Sequence, residues 1–424
     1  MIQITIITLI CCLLFGVPIA FAIGIAGTAG LYFGSTAPMF MVVKQFFEGI
    51  NSFSYMAIPL FILAGAIMGK GGISKRIVNF ASAILSWLRG GTAITTVGAS
   101  MIFAAVSGSG AATISAIGGI TVPEMLKKGY SRGFTAAMSA GAGSLGPIIP
   151  PSVDMIVFGC ITGFSISRLF VGGIIPGFII GLSLMIYCYI YAKKRNIDYG
   201  GKFRGKVVWA AFKDSIWALL MPVIIMGTIF GGICTVSEAA AISAFYSAIV
   251  GVFIYKTVSI KNLLNTLYET TISVAAIMIL VGLSKASAYV VISSQLPQLF
   301  MKAMTSLVSS KFVVLLMINV IFLILGCLME GNCIIVMMVP LMLNLVNSFG
   351  IDLIQFGILT CVNIYIGCIT PPVGVSLLVG TKLGGASMGG AFKACMPFFL
   401  ISLVTLLLVS YVPAFSLWLP SLAG

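Results

Sequence analysis

Four short stretches of the 424-residue chain interrupt apolar runs with residues that free main-chain oxygen: Ser107-Gly108-Ser109-Gly110, Gly146-Pro147-Ile148-Ile149-Pro150-Pro151-Ser152, Glu330-Gly331-Asn332 and Gly367-Cys368-Ile369-Thr370-Pro371-Pro372-Val373-Gly374. Proline lacks an N–H and ends a regular helix, and glycine has no side chain to cover its peptide, so each stretch leaves carbonyls that a continuous helix would consume. Carbonyls and hydroxyls are the ligands a sodium ion takes when it sheds water. The half-helix beyond each break turns its N-terminal N–H groups toward a carboxylate. The chemistry indicated is the binding of a cation and a small anion.

Two carboxylates sit beside these breaks, Asp154 beyond the first proline pair and Glu330 on the second glycine tip. A charged group inside an apolar run is costly, so each is a candidate to hold a cation, carry a proton or orient a substrate; the competing reading is an ion pair with a snorkelling lysine or arginine. Glu238, in Thr235-Val236-Ser237-Glu238, reads as a helix cap. Gly24, Gly27 and Gly30 read as close helix packing. There is no histidine, which excludes triads and His-ligated zinc and argues against an enzyme. The ten cysteines form no CxxC pair, and most lie in apolar runs as small buried side chains.

The elements that position these groups follow from composition. With 60% hydrophobic and 8% charged residues the chain must be solvated by lipid, and there every backbone polar group needs a partner within the protein. Runs such as 216–233 and 312–329 are continuous where a barrel strand would alternate, so the class is all-α polytopic membrane protein. The net charge of +14 lies in short clusters without interleaved aromatic platforms, which speaks against nucleic acid and for topology signals on cytoplasmic loops. The segment from Met1 lacks a basic start and a cleavage site and reads as retained, with residues 1–33 crossing once or twice. Residues 73–89 place Ile73, Ile77, Phe80, Ile84 and Leu88 on one face, as expected of a helix in the membrane interface, or of a short span.

The two halves repeat. At an offset of 217, Gly65 meets Gly282 and Pro123-Glu124-Met125-Leu126 meets Pro340-Leu341-Met342-Leu343. At 221, Gly129 meets Gly350, Gly146 meets Gly367, Pro150-Pro151 meets Pro371-Pro372, Gly159 meets Gly380 and Pro176 meets Pro397. Lys70, Lys75, Arg76, Lys127, Lys128 and Arg132 have counterpart regions, 287–293 and 347–353, without lysine or arginine, so the positive-inside rule makes the repeat inverted. The expected organisation is a first repeat over 1–192, with a hairpin tip near 107–110 and a break at 146–152. A cytoplasmic linker over 193–215 joins it to a second repeat over 216–424, with a tip near 326–332 and a break at 367–374. Both tips are expected to be re-entrant, entering and leaving by one side.

The ordered set of motifs resembles the large membrane subunit of tripartite ATP-independent periplasmic (TRAP) transporters, of the dicarboxylate-permease type. It comprises Gly16-Val17-Pro18-Ile19-Ala20-Phe21, Ala57-Ile58-Pro59-Leu60-Phe61, Ser107-Gly108-Ser109, Pro147 to Ser152, Ser167-Arg168-Leu169-Phe170, Ser237-Glu238-Ala239-Ala240 and Thr370 to Gly374. The resemblance implies an elevator-type carrier in which a transport domain slides against a scaffold in the inner membrane of a bacterial cell. It also implies a small four-helix membrane partner, a periplasmic substrate-binding protein, and sodium-driven uptake of an organic acid such as a C4-dicarboxylate or a sugar acid like sialate. No organic cofactor is implied. Carried over by motif, one sodium site involves Ser107, Ser109 and carbonyls of Gly146, Ile149 and Pro151. The other involves Gly326, Glu330, Gly367, Thr370 and Val373, with substrate between them near Ser152, Asp154, Asn332 and Pro371. This chain departs from the motif at Thr113, where many relatives carry aspartate, and at Asp154, where most are neutral. A one-component permease of the same superfamily, a channel and a membrane-embedded enzyme are the competing functions.

Overall fold

Away from water a backbone N–H and C=O find each other most readily four residues apart on one chain, and the long apolar runs fold accordingly. The computed structural model describes residues 2–34, 37–295, 298 and 310–422, and among these there is no strand. The first half contributes α1 (Ile2–Leu14), α2 (Ile19–Gly34), α3 (Phe40–Ile50), α4 (Ala57–Lys70), α5 (Ile73–Leu85), α6 (Gly91–Ser107), α7 (Gly110–Thr113), α8 (Gly119–Lys127), α9 (Arg132–Gly143), α10 (Val153–Thr162) and α11 (Ile166–Arg195). The second contributes α12 (Gly205–Phe230), α13 (Val236–Ile249), α14 (Ile260–Ser293), α15 (Lys311–Leu328), α16 (Gly331–Ser348), α17 (Leu353–Cys368), α18 (Val375–Gly384), α19 (Met388–Tyr411) and α20 (Ala414–Leu422). Among the described residues, eight helices are long and apolar enough to cross a membrane, and the protein is an all-α polytopic membrane protein.

Residues 1–33, expected to cross once or twice, hold two helices, α1 and α2, packed on each other, with α2 also against α14. Gly24 and Gly27 let α2 approach Leu283 and Ser287 of α14, and Gly30 faces Thr5, as close packing requires. Thr235 and Glu238 form a reciprocal capping box at the start of α13. At 13 residues α5 is too short to span, and its stripe is turned toward α6 and α12, with Ile73 and Ile77 buried and Lys75 exposed. Arg76, beside the stripe, pairs with Asp214 of α12 at 3.2 Å.

Helices α11 and α12 reach into the expected linker and leave 196–204 as loop between them. That loop is pinned rather than loose. Asp198 Oδ2 accepts from the Thr92 N–H at 2.8 Å and from the Tyr130 hydroxyl at 3.1 Å, and its carbonyl accepts from the Gly90 N–H at 2.8 Å.

The helix starts keep the repeat: Gly110 and Gly331, and Arg132 and Leu353, lie 221 residues apart. Pro123 and Pro340, matched at the offset of 217, therefore fall at different depths of their helices. A π-helical turn over Ile114–Gly118 precedes Pro123, whereas α16 is regular from its start. The halves also exchange partners, because α10 packs on α16 while α18 packs on α9 and on the α7–α8 arm. Each half-helix beyond a proline break is thus seated on the other half's hairpin.

Candidate transport site

At the first tip α6 ends when Gly108 turns to φ +60°, a conformation that a side chain disfavours. A Cβ there would also stand 2.6 Å from the Pro151 carbonyl oxygen. Ser109 then caps α7 by accepting from the Ala112 N–H, and the Ser107 and Thr113 side chains close on each other over its carbonyl. Thr113 Oγ1 donates to the Ser109 carbonyl at 2.8 Å, and the hydroxyls of Ser107 and Thr113 meet at 3.1 Å. With its proton on Ser109, Thr113 is the acceptor toward Ser107. Ser107 and Thr113 are buried.

The first break lies directly on this tip. A Cβ on Gly146 would stand 2.7 Å from Gly110 N, and the Val153 N–H donates to the Gly108 carbonyl at 3.3 Å. Ser152 caps α10, accepting from the Met155 N–H and donating to the Pro147 carbonyl at 2.7 Å. The second hairpin repeats the arrangement with different side chains. Gly367 lies against Gly326, where a Cβ would meet backbone at 2.4 Å, and the Val373 N–H donates to the Cys327 carbonyl at 3.1 Å. The Pro150-Pro151 and Pro371-Pro372 peptide bonds are both cis. Thr370 donates back to the Ile366 carbonyl at 2.7 Å. Glu330 stands at the N-cap of α16 without a capping bond from its side chain.

Both tips and both breaks open on one cavity of about 480 Å³. Tip one contributes Ser107 to Ala112, tip two Glu330 to Asn332, and the breaks contribute Ser144, Pro147, Asp154 and Ser376. Helix α4 closes one side through Ile62 and Gly65, and α14 another through Glu269, Thr270 and Ser273. The carboxylate of Asp154, in the first half, reaches the second half's tip: a Cβ on Gly331 would stand 3.2 Å from Asp154 Oδ1. Among the described residues no lysine or arginine lines the cavity.

Of the residues singled out in the sequence, Ser107, Ser109, Asp154, Glu330 and Asn332 line this cavity. Gly146, Ile149, Pro151, Ser152, Gly326, Gly367, Thr370, Pro371 and Val373 stand outside its lining, in the two breaks and the adjoining hairpin arm. Sequence reading passed over Ser144, whose hydroxyl is buried without a hydrogen-bond partner, and the α14 residues. A small polar residue two positions before Gly146 was the available signal for Ser144; nothing local marks Thr270 or Ser273.

Residues 6–415 match the family model described as tripartite ATP-independent periplasmic transporter, DctM component. The chain is 41% identical over 405 residues to the isethionate TRAP transporter permease protein DctMQ of Oleidesulfovibrio alaskensis, covering 95% of itself and 64% of that relative's length. It is 36% identical over 403 residues to the C4-dicarboxylate TRAP transporter large permease protein DctM of Pseudomonas aeruginosa, covering 95% of itself and 94% of that protein. With the sialic acid TRAP transporter permease protein SiaT of Haemophilus influenzae it shares 33% over 409 residues, 96% of this chain and 66% of the relative. The solved Alcanivorax borkumensis YdaH transporter has a similar fold, with a TM-score of 0.60 at 14% identity over 90% of this chain and 86% of that one.

Proposed function

The chain belongs to the DctM component family of tripartite ATP-independent periplasmic transporters, as its motifs suggested, and we propose that it is the large transport subunit of a sodium-coupled importer of a small organic acid. It is a transport subunit and not an enzyme. The observation that carries the proposal is the convergence of two hairpin tips and two proline breaks, one pair from each half, on a single cavity large enough for a small acid. Broken backbone inside a membrane protein is tolerated only where protein or a cavity shields it, and here it supplies carbonyls and hydroxyls of the kind sodium takes. The relatives' named cargoes, isethionate, C4-dicarboxylates and sialic acid, are all small acids. In this reading the protein resides in the inner membrane with a small four-helix membrane subunit, and a periplasmic binding protein delivers the acid. The hairpins and breaks move together as an elevator against a scaffold of α4, α5 and α12 to α14, carrying C4-dicarboxylate or sugar acid with sodium.

The test is uptake into vesicles holding the chain with its small subunit, with binding protein and acid outside. Replacing Ser107 or Thr370 with leucine should abolish sodium-dependent uptake while the chain still inserts and purifies as a single species. Unchanged sodium dependence in both variants rejects the site.

A further inference from the structure

An acid carrier would be expected to offer positive groups to its cargo, and this cavity does the reverse at one corner. Asp154 and Glu330 both line it, and neither takes part in an ion pair among the described residues. Asp154 is 8% exposed and sits against Gly331, the first residue of the 18-residue helix α16, so it complements the helix end that would otherwise attract an anionic cargo. Asn332, 7% exposed, also lines the cavity, and its buried side-chain Oδ1 has no hydrogen-bond partner. A buried acceptor without a donor is unusual and asks for one. The lining around Ser109, Gly110 and Ser144 carries no charged side chain.

We propose that the corner formed by Asp154, Glu330 and the Asn332 side-chain oxygen receives an ammonium group of the cargo, so that the transported acid is a zwitterion rather than a plain dicarboxylate. This rests on the carrier reading above and narrows its substrate class. An ammonium has three donors and no acceptor, which matches two carboxylates and one amide oxygen. Its single positive charge offsets one of the two carboxylates, while the acidic end of the same molecule lies toward the uncharged hydroxyl and N–H groups around Ser109, Gly110 and Ser144.

The test uses the full-length chain with its small subunit in lipid nanodiscs with sodium present, and two pairs of probes that exchange a hydroxyl for an ammonium: isethionate against taurine, and malate against aspartate. In at least one pair the ammonium member should bind about tenfold tighter or more, the range expected for hydrogen bonds to a charged group. Asp154→Asn should bring that ratio close to one, and Glu330→Gln should lower it less. Should Asp154→Asn fail to fold, the wild-type ratio and Glu330→Gln still decide. Equal or tighter binding of the hydroxyl member in both pairs overturns the inference, as does binding of succinate alone, and both results leave the carrier reading intact. If Asp154→Asn instead removes stabilisation by sodium without any organic probe, the corner holds an inorganic cation and the inference falls. Absence of sodium-dependent binding by every probe defeats the inference, while the carrier reading stands or falls by the uptake experiment above.

Discussion

At the first hairpin tip the Ser107 and Thr113 hydroxyls bond each other, Thr113 donates to the Ser109 carbonyl and the Ser109 hydroxyl caps α7, whereas at the second, 221 residues on, Glu330 caps nothing with its side chain and the Asn332 oxygen is left without a donor. The backbones beneath them are alike: each tip carbonyl region accepts an N–H from its own proline break, and each break rests a glycine on the hairpin. The repeat therefore holds the frame constant and divides the side-chain chemistry, giving a closed neutral tip and an open acidic one. A frame shared by both halves should be intolerant in both. The tips should answer to different substitutions.

The largest effect is expected from the frame. A methyl group on Gly367 would stand 2.4 Å from Gly326 backbone atoms, and one on Gly146 would stand 2.7 Å from Gly110 N, with no flexible side chain to give way. Gly367→Ala and Gly146→Ala should each lower stability by ~3 kcal/mol or more and abolish uptake. Gly227→Ala, where a Cβ meets nothing within 4 Å, should leave both unchanged or raise stability slightly. Thermal unfolding of the three variants beside wild type makes the comparison. A Gly367→Ala protein as stable as the parent would mean that break and hairpin do not share this contact.

The next effect separates the tips. Thr113→Asp adds a carboxylate where Ser107 and Ser109 already converge, and a nearby opposite charge favours a bound cation. The sodium concentration giving half-maximal stabilisation should fall by about tenfold, a coupling of ~1.4 kcal/mol. Thr113→Val should raise it. If both variants titrate with sodium as the wild type does, the cation binds elsewhere and the closed tip is only a structural device.

How much of this was legible beforehand depends on whether a residue acts on its own backbone. The four interruptions could be read directly, because glycine and proline constrain the chain wherever they stand, and so could the capping box at Thr235 and the close packing of Gly24 and Gly27. The contribution of Thr270 and Ser273 to the cavity could not, since they lie in a 34-residue helix whose inward face is set only by its neighbours. The approach of Asp154 to Gly331 was equally hidden, because it arises where α10 of one half packs on α16 of the other. The repeat register was misread near Pro123, where a π-helical turn stands in one arm alone.

A smaller effect is expected where the halves differ away from the tips. In the second half Asn363 donates to Asn319 at 2.9 Å and Asn319 donates to Ser410 at 2.8 Å, linking α15, α17 and α19 through a buried polar chain. The positions 221 residues earlier are Ala142 and Gly98, and there Phe134 stacks on Tyr191 at 3.9 Å and meets Phe398 instead. Asn319→Ala should leave one Asn363 N–H without its acceptor, the other still bonded to the Leu359 carbonyl, and cost ~1 kcal/mol in thermal unfolding, with sodium titration unchanged. A shift in sodium affinity would place this chain within the ion site.

The smallest effect belongs to Glu269, among the described residues the one cavity-lining carboxylate in an ion pair. Glu269 of α14 pairs with Lys70 at the end of α4, and the two side chains are 61% and 45% exposed. Pairs so accessible are worth ~0–1 kcal/mol, because water and salt screen them and two long side chains must be held in place. Lys70→Ala should therefore change the unfolding free energy by less than ~1 kcal/mol, and the difference should shrink as salt is raised. A larger, salt-insensitive loss would mean that Glu269 lies in a low-dielectric setting like that of Asp154. The acidic character assigned to the second tip would then extend across the cavity to α14, and the contrast between a neutral wall and an acidic corner would no longer hold.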